Sequence, residues 1–138
     1  MMKKVVDAEG LILGRMCSEV AKMLLSSDQV EVVNAEKAVV MGQKKVTLKN
    51  YLEKYERGHP KTGPFAPRTP HLLIKRTIRG MLPKTTRGRE LMRKLMVHIG
   101  NPDNKEAQKL KCNVSESNYW KYVKVGDLSV MLGAKKRW

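Results

Sequence analysis

Residues 4–34 read KVVDAEGLILGRMCSEVAKMLLSSDQVEVVN, and the apolar pattern within them changes period twice. KVV at 4–6 is short and β-branched, which predicts a strand, and DAEG supplies a turn after it. Over 15–25, Met16, Val20, Met23 and Leu24 fall at i, i+4, i+7 and i+8, so the spacing predicts a helix with one apolar face. VEVVN at 30–34 returns to a short β-branched run, the pattern of a buried strand. A strand, a helix and a strand within about thirty residues predict a βαβ unit, whose crossover joins parallel neighbours. The expected fold class is α/β with a parallel sheet.

The remaining chain adds elements to that unit. Residues 39–41 contribute extended structure before Gly42, and Leu48, Tyr51, Leu52 and Tyr55 mark a helix that Gly58 ends. GHPKTGPFAPRTP at 58–70 then places Pro60, Pro64, Pro67 and Pro70 where neither helix nor central strand survives, so it is expected to be an extended loop, either functional or disordered. A helix is predicted over 72–82, with Ile74, Ile78 and Met81 on one stripe, Lys75, Arg76 and Arg79 on another side, and Pro83 as its stop. A second helix over 87–95 turns Leu91 and Leu95 inward and Arg89 and Arg93 outward. LMVHIG at 95–100 reads as the last sheet strand, closed by the turn sequence NPDN. The tail carries Tyr119, Trp120 and Tyr122, then a short helix after Gly126 capped by Asp127. One domain is expected over 1–138, with 58–70 as its loop and 112–138 as its tail.

At 138 residues the chain is long enough to bury a core without disulfides or metal. Cys17 and Cys112 stand far apart and in no CxxC pattern, which argues against a secreted disulfide scaffold and a zinc knuckle. With no membrane-length apolar run and no signal-like start, a soluble, intracellular protein is expected. The outlier is charge, a formal +15 with pI near 10.0, which implies attraction to nucleic acid or anionic lipid. Over 1–43, Lys3, Lys4, Arg15, Lys22 and Lys37 are offset by Asp7, Glu9, Glu19, Asp28, Glu31 and Glu36. Over 54–94, Lys54, Arg57, Lys61, Arg68, Lys75, Arg76, Arg79, Lys84, Arg87, Arg89, Arg93 and Lys94 face only Glu56 and Glu90.

Chemical motifs are scarce. EGLILGR at 9–15 resembles a phosphate-cradling turn, yet Gly10 and Gly14 lack the third glycine of a dinucleotide fingerprint, and Arg15 stands where a P-loop needs Lys followed by Ser or Thr. A tight turn onto a helix is the plainer account. His59, His71 and His98 have no metal-ligand spacing, and no serine or cysteine occupies a nucleophile motif. The basic block is different, because a solvated face mixes both signs whereas Lys75, Arg79, Arg89 and Arg93 mostly lack acidic neighbours. Residues 77–95 contain no aromatic membrane anchor. No helix-turn-helix or zinc module for duplex DNA is visible either. Structured RNA, recognised through phosphate and ribose contacts, fits best. An aromatic content of 5% argues against a base-stacking sheet platform.

DAEGLILGRMCSEVAKMLL, then VEVVNAEKAVVMGQKK, then IRGMLPKTTRGRELMRKLMVHIG, in that order, resemble the L-thirteen family of large-subunit ribosomal proteins. The resemblance runs from about residue 5 to 109 and rests on LGR, NAEK and RGMLP together. It implies a small three-layer α/β/α domain with a mostly parallel sheet of about four strands, buried against large-subunit ribosomal RNA. It further implies a structural role with early involvement in subunit assembly, in the cytoplasm, and no catalysis. NPDNKEAQKL after MVHIG, the form of HPKTGPFAPRTP and the lack of a bacterial amino-terminal extension point to the archaeal and eukaryotic branch. The residues expected to meet RNA are Arg15, Lys37, Lys44, Lys45, Lys54, Arg57, Lys61, Arg68, Lys75, Arg76, Arg79, Gly80, Lys84, Arg87, Arg89 and Arg93. Within RGMLP, Met81 and Leu82 are expected to pack inward while Gly80 permits close approach. Partners are rRNA and neighbouring large-subunit proteins, with the L-three protein as a candidate; no cofactor, metal, membrane or homo-oligomer is expected. The alternative is an RNA-acting enzyme or modification factor using the turn at 10–14 for a cofactor.

Overall fold

The computed structural model describes residues 2–26, 28–103, 106–111 and 121–138. Strand β1 (Lys3–Asp7) is followed by helix α1 (Leu13–Leu25) and strand β2 (Gln29–Val33), the βαβ unit that the apolar periods predict. The two strands pair parallel, Lys3 opposite Gln29 through Asp7 opposite Val33. A single 3₁₀ turn (Ala35–Lys37) leads to β3 (Val39–Met41), then to α2 (Lys44–Glu56), α3 (Pro70–Met81) and α4 (Thr86–Arg93). Next come β4 (Leu95–Val97), β5 (Gln108–Lys109), β6 (Tyr122–Lys124) and α5 (Val125–Met131). Four strands form a parallel sheet in the order β4-β2-β1-β5, and β3 pairs antiparallel with β6. The α/β expectation with a mostly parallel sheet is met.

Register explains where the core lies. Val6, Val32 and Val97 are lateral neighbours on one face of the sheet, as are Val30 and Leu95. Against that face pack Met16, Val20 and Leu24 of α1, Ile74 and Ile78 of α3, and Leu91 of α4, in one buried cluster. A fully buried Leu or Val stabilises by about 1.5–3 kcal/mol relative to exposure, so this helix-on-sheet layer dominates the fold energy. A second small cluster joins Val123, Leu128 and Leu132 to Leu48, Tyr51 and Leu52 of α2.

The motifs DAEG and NAEK tie the carboxyl ends of the strands together. Asn34 adopts the left-handed region (φ 55°), which Asn tolerates better than most side chains. Its side-chain amide donates to Asp7 Oδ1 at 2.8 Å, and the Glu9 backbone N–H donates to the same oxygen at 3.0 Å. The Glu36 carboxylate accepts the Gly100 N–H at 2.9 Å, beyond the end of β4. Residues 9–12 thus form the turn onto α1, with Gly10 at φ 71°, and Gly14 and Arg15 already belong to the helix.

Three expectations need correction. LMVHIG is not the last strand, since β5 and β6 follow it. Met81 ends α3 43% exposed, so of the pair assigned inward only Leu82 is buried, at 5%. The last helix begins at Val125, and Asp127 lies within its first turn and makes no cap; no side chain caps Lys124. Gly126 lets this first turn pack closely, because a Cβ there would lie 2.9 Å from Trp138 Nε1 and 3.0 Å from the Glu36 carbonyl oxygen. Cys112, Tyr119 and Trp120 lie outside the described residues.

Candidate nucleic-acid interface

Helices α3 and α4 meet at the turn Leu82-Pro83-Lys84-Thr85, and one glycine sets how closely they meet. Gly88, in the first half of α4, faces the Pro83 carbonyl so tightly that any Cβ would overlap it. Gly80 is the opposite case, with nothing within 4 Å of its would-be Cβ. Between the helices lies an open groove of about 610 Å³, floored by Leu82, Pro83 and Met92 and rimmed by Arg76, Arg79, Lys84 and Arg89. No acid occupies the first turn of either helix, and no side chain caps Thr85, so the free amides starting α4 add positive potential.

Predicted contact residues fall into several places. Arg76, Arg79, Gly80, Lys84 and Arg89 share this groove, and Arg76 and Arg79 continue with Lys75 into a shallower hollow against Phe65 and Leu72. Arg87 and Arg93 are exposed on α4, and Arg87 Nη2 reaches the Leu25 carbonyl at 3.5 Å. Arg57 and Arg68 line a hollow under the proline-rich loop. Lys37 and Lys44 lie elsewhere, in a hollow completed by Lys124, Lys136 and Trp138. Arg15, Lys45 and Lys61 are exposed outside these groups. Lys54 sits 5.2 Å from the centroid of the Tyr51 ring.

Several of the predicted cations also have work within the chain, Arg68 and Lys37 the clearest. The Arg68 guanidinium lies 4.0 Å from the Tyr55 ring centroid, a cation–π contact. It also borders Gly133, where a Cβ would come 3.2 Å from Nη1, so it holds the loop to the segment after α5. Lys37 pairs with Glu9 at 3.2 Å. The loop itself is locally built, with His59 and Gly63 exchanging both backbone hydrogen bonds (3.3 and 2.9 Å).

Lys75, Arg79, Lys84, Arg89 and Arg93 form no ion pair among the described residues. Among the described residues, folding brings no distant acid into ion-pair distance of these five cations. Burial first, and then the neighbouring Lys75 charge, hold the His71 imidazole below the ordinary histidine range. Its Nδ1 is buried without a hydrogen-bond partner. Lys124, Lys136 and Phe65 were not singled out by sequence reasoning. The basic ending KKRW was a signal for Lys136, and an aromatic inside a basic loop was one for Phe65.

Comparison with known proteins identifies the family. The family model "Ribosomal protein L13" matches residues 2–104. The chain is 45% identical over 137 residues to "Large ribosomal subunit protein uL13" of Methanosarcina barkeri, covering 95% of this chain and 98% of the relative. Its identity to the protein of the same name from Archaeoglobus fulgidus is also 45%, over 135 residues, 94% of this chain and 86% of the relative. With that of Haloarcula marismortui it is 39% over 136 residues, 97% and 93% of the two chains. A βαβ core locked by DAEG and NAEK, an RGMLP turn that seats α4, and relatives matched over nearly their whole length lead to one conclusion: the chain belongs to the ribosomal protein L13 family.

Proposed function

We propose that the chain is a structural constituent of the large ribosomal subunit in the cytoplasm, and that it binds ribosomal RNA chiefly through the α3–α4 face. The observation that carries the interface is the cluster of Arg76, Arg79, Lys84 and Arg89 around one groove, unopposed by any acid within ion-pair distance among the described residues. Such a cluster repels itself in the free protein and is relieved by phosphate. Lys37 and Lys44, with Lys124 and Lys136, are a second contact, and Arg15, Lys45, Lys54, Arg57, Lys61, Arg68, Lys75, Arg87 and Arg93 extend the charged surface between and around the two. A role early in subunit assembly and the L-three protein as a neighbour rest on family resemblance alone, and the whole chain acting as one domain rests on its length. Neither the family nor the relatives carry an enzyme's name, and the glycine turn is accounted for by the start of α1.

The test is sedimentation of the native protein from cell lysate through gradients at rising salt. Co-migration with the large subunit after a salt wash is the expected result. Migration as a free small protein at all salt concentrations would contradict it.

A further inference from the structure

Phe65 is the single phenylalanine of the chain and it is 72% exposed. Leaving a large aromatic side chain in water forgoes a substantial burial energy, so its placement asks for a partner. One side of the ring is taken, because a Cβ on Gly63 would lie 3.0 Å from Cδ2 and Cε2, which puts the ring directly against that backbone. Among the described residues, the cation–π contacts lie over Tyr51 and Tyr55, and no cation lies over Phe65. Its backbone is held, with the carbonyl accepting Arg76 Nη1 at 3.2 Å. The ring borders a hollow of about 260 Å³ with Leu72, which is 43% exposed, and with Lys75, Arg76 and Arg79.

We propose that Phe65 stacks on an unpaired base of the bound RNA, while Lys75, Arg76 and Arg79 hold the phosphates that flank it. The inference rests on the RNA reading above and adds a base-contacting residue to it. A flat π-face next to three cations matches a nucleotide, which offers a flat ring and a phosphate within one residue's reach. An uncharged protein surface would leave those cations buried without counter-charge, a costly arrangement. Aromatic stacking is indifferent to salt, whereas phosphate contacts are counted by the salt slope, so the two contributions separate experimentally.

The experiment measures binding of the full chain to purified large-subunit rRNA from its own organism, across a salt series, for wild type and four variants. Phe65→Ala should weaken binding by a factor of about 5 to 150 with the salt slope unchanged. Phe65→Leu should lose most of that factor, since it stays apolar without a π-face, and Phe65→Trp should keep it. Arg79→Ala should reduce the salt slope instead. A photo-crosslinking phenylalanine analogue at position 65 should join to an unpaired rRNA nucleotide in the assembled subunit. Wild-type affinity in Phe65→Ala or in Phe65→Leu overturns the stacking proposal, and so does a crosslink that lands on a protein. If Arg79→Ala still lowers the slope in that case, the RNA reading stands without it; absence of any rRNA binding by wild type overturns both.

Discussion

The first βαβ unit and the α3–α4 pair contain the same kinds of charged residue with opposite outcomes. In the former, Lys3 meets Glu31 at 2.8 Å, Lys4 meets Asp28 at 2.6 Å and Lys22 meets Glu19 at 2.8 Å, and Lys37, just beyond the unit, meets its Glu9 at 3.2 Å. In the latter, even Glu90 pairs with none of the surrounding cations among the described residues. A run of one sign along a sequence can be neutralised in three dimensions, and here it is not. The difference separates a region that balances its own charge from one that, among the described residues, does not, and the second is the region proposed above to meet a polyanion.

The widest separation between the two regions should appear in RNA binding against salt. If the basic face neutralises about six to ten phosphates, affinity for structured RNA should fall by about three to five orders of magnitude between 50 and 200 mM salt. Replacing Arg79, Arg87 and Arg89 together by Ala should cut the slope of log affinity against log salt by about two to three, with thermal stability held or slightly raised. Unfolding of that triple variant would break the contrast, since it would make the arginines structural.

Two adjacent residues sharpen it further by stability. Leu82→Ala should cost about 2–5 kcal/mol in chemical denaturation, because Leu82 is only 5% exposed and packs in the main core. Met81→Ala, at a side chain 43% exposed, should change stability by less than about 0.5 kcal/mol. The two glycines behave in the same paired way. Gly88→Ala forces Pro83 away and should cost about 1–3 kcal/mol or more. Gly80→Ala meets open space in a helix and should stabilise the free protein by about 0.5–1 kcal/mol. A measured loss for Gly80→Ala would mean that α3 cannot accept a side chain there.

Smaller effects follow from protonation and reactivity. With His71 depressed by burial and by Lys75, its unfolded form takes up the proton first. Stability from this group is full above about pH 6.5 and declines as pH falls from there toward the lower native value, and His71→Gln should remove that part of the pH dependence in a denaturation series. Burial pushes the Cys17 thiol up to about 12. In a Cys112→Ser background, Cys17 should therefore resist alkylation near neutral pH until the protein opens. Fast labelling of native protein would show that the α1–sheet contact opens readily.

What could be read from the sequence was whatever a local period encodes. Met16, Val20 and Leu24 define α1 by their own spacing, and all three are fully buried. Met81 satisfied a similar spacing and failed, standing 43% exposed at the last residue of α3, because periodicity carries no information about where a partner surface ends. The strand Gln108–Lys109 was invisible for a related reason. Both of its residues are exposed, and it exists through pairing with Val6 and Asp7 across the chain. The basic residues were legible as a set, whereas their division between the α3–α4 groove and the Lys37–Lys44 hollow follows from tertiary packing. Gly88 fell inside the helix predicted over 87–95 with no role of its own, and only its distance to Pro83 shows that it sets the helix contact.

The sheet's outer strands are three and two residues long. A long unpaired strand edge is a template on which a second copy can add itself, and such additions seed fibrous aggregates. Edges this short offer too few hydrogen bonds to hold another chain, and a formal charge of +15 keeps copies apart. Short edges and like charge thus act together against self-association of the free protein.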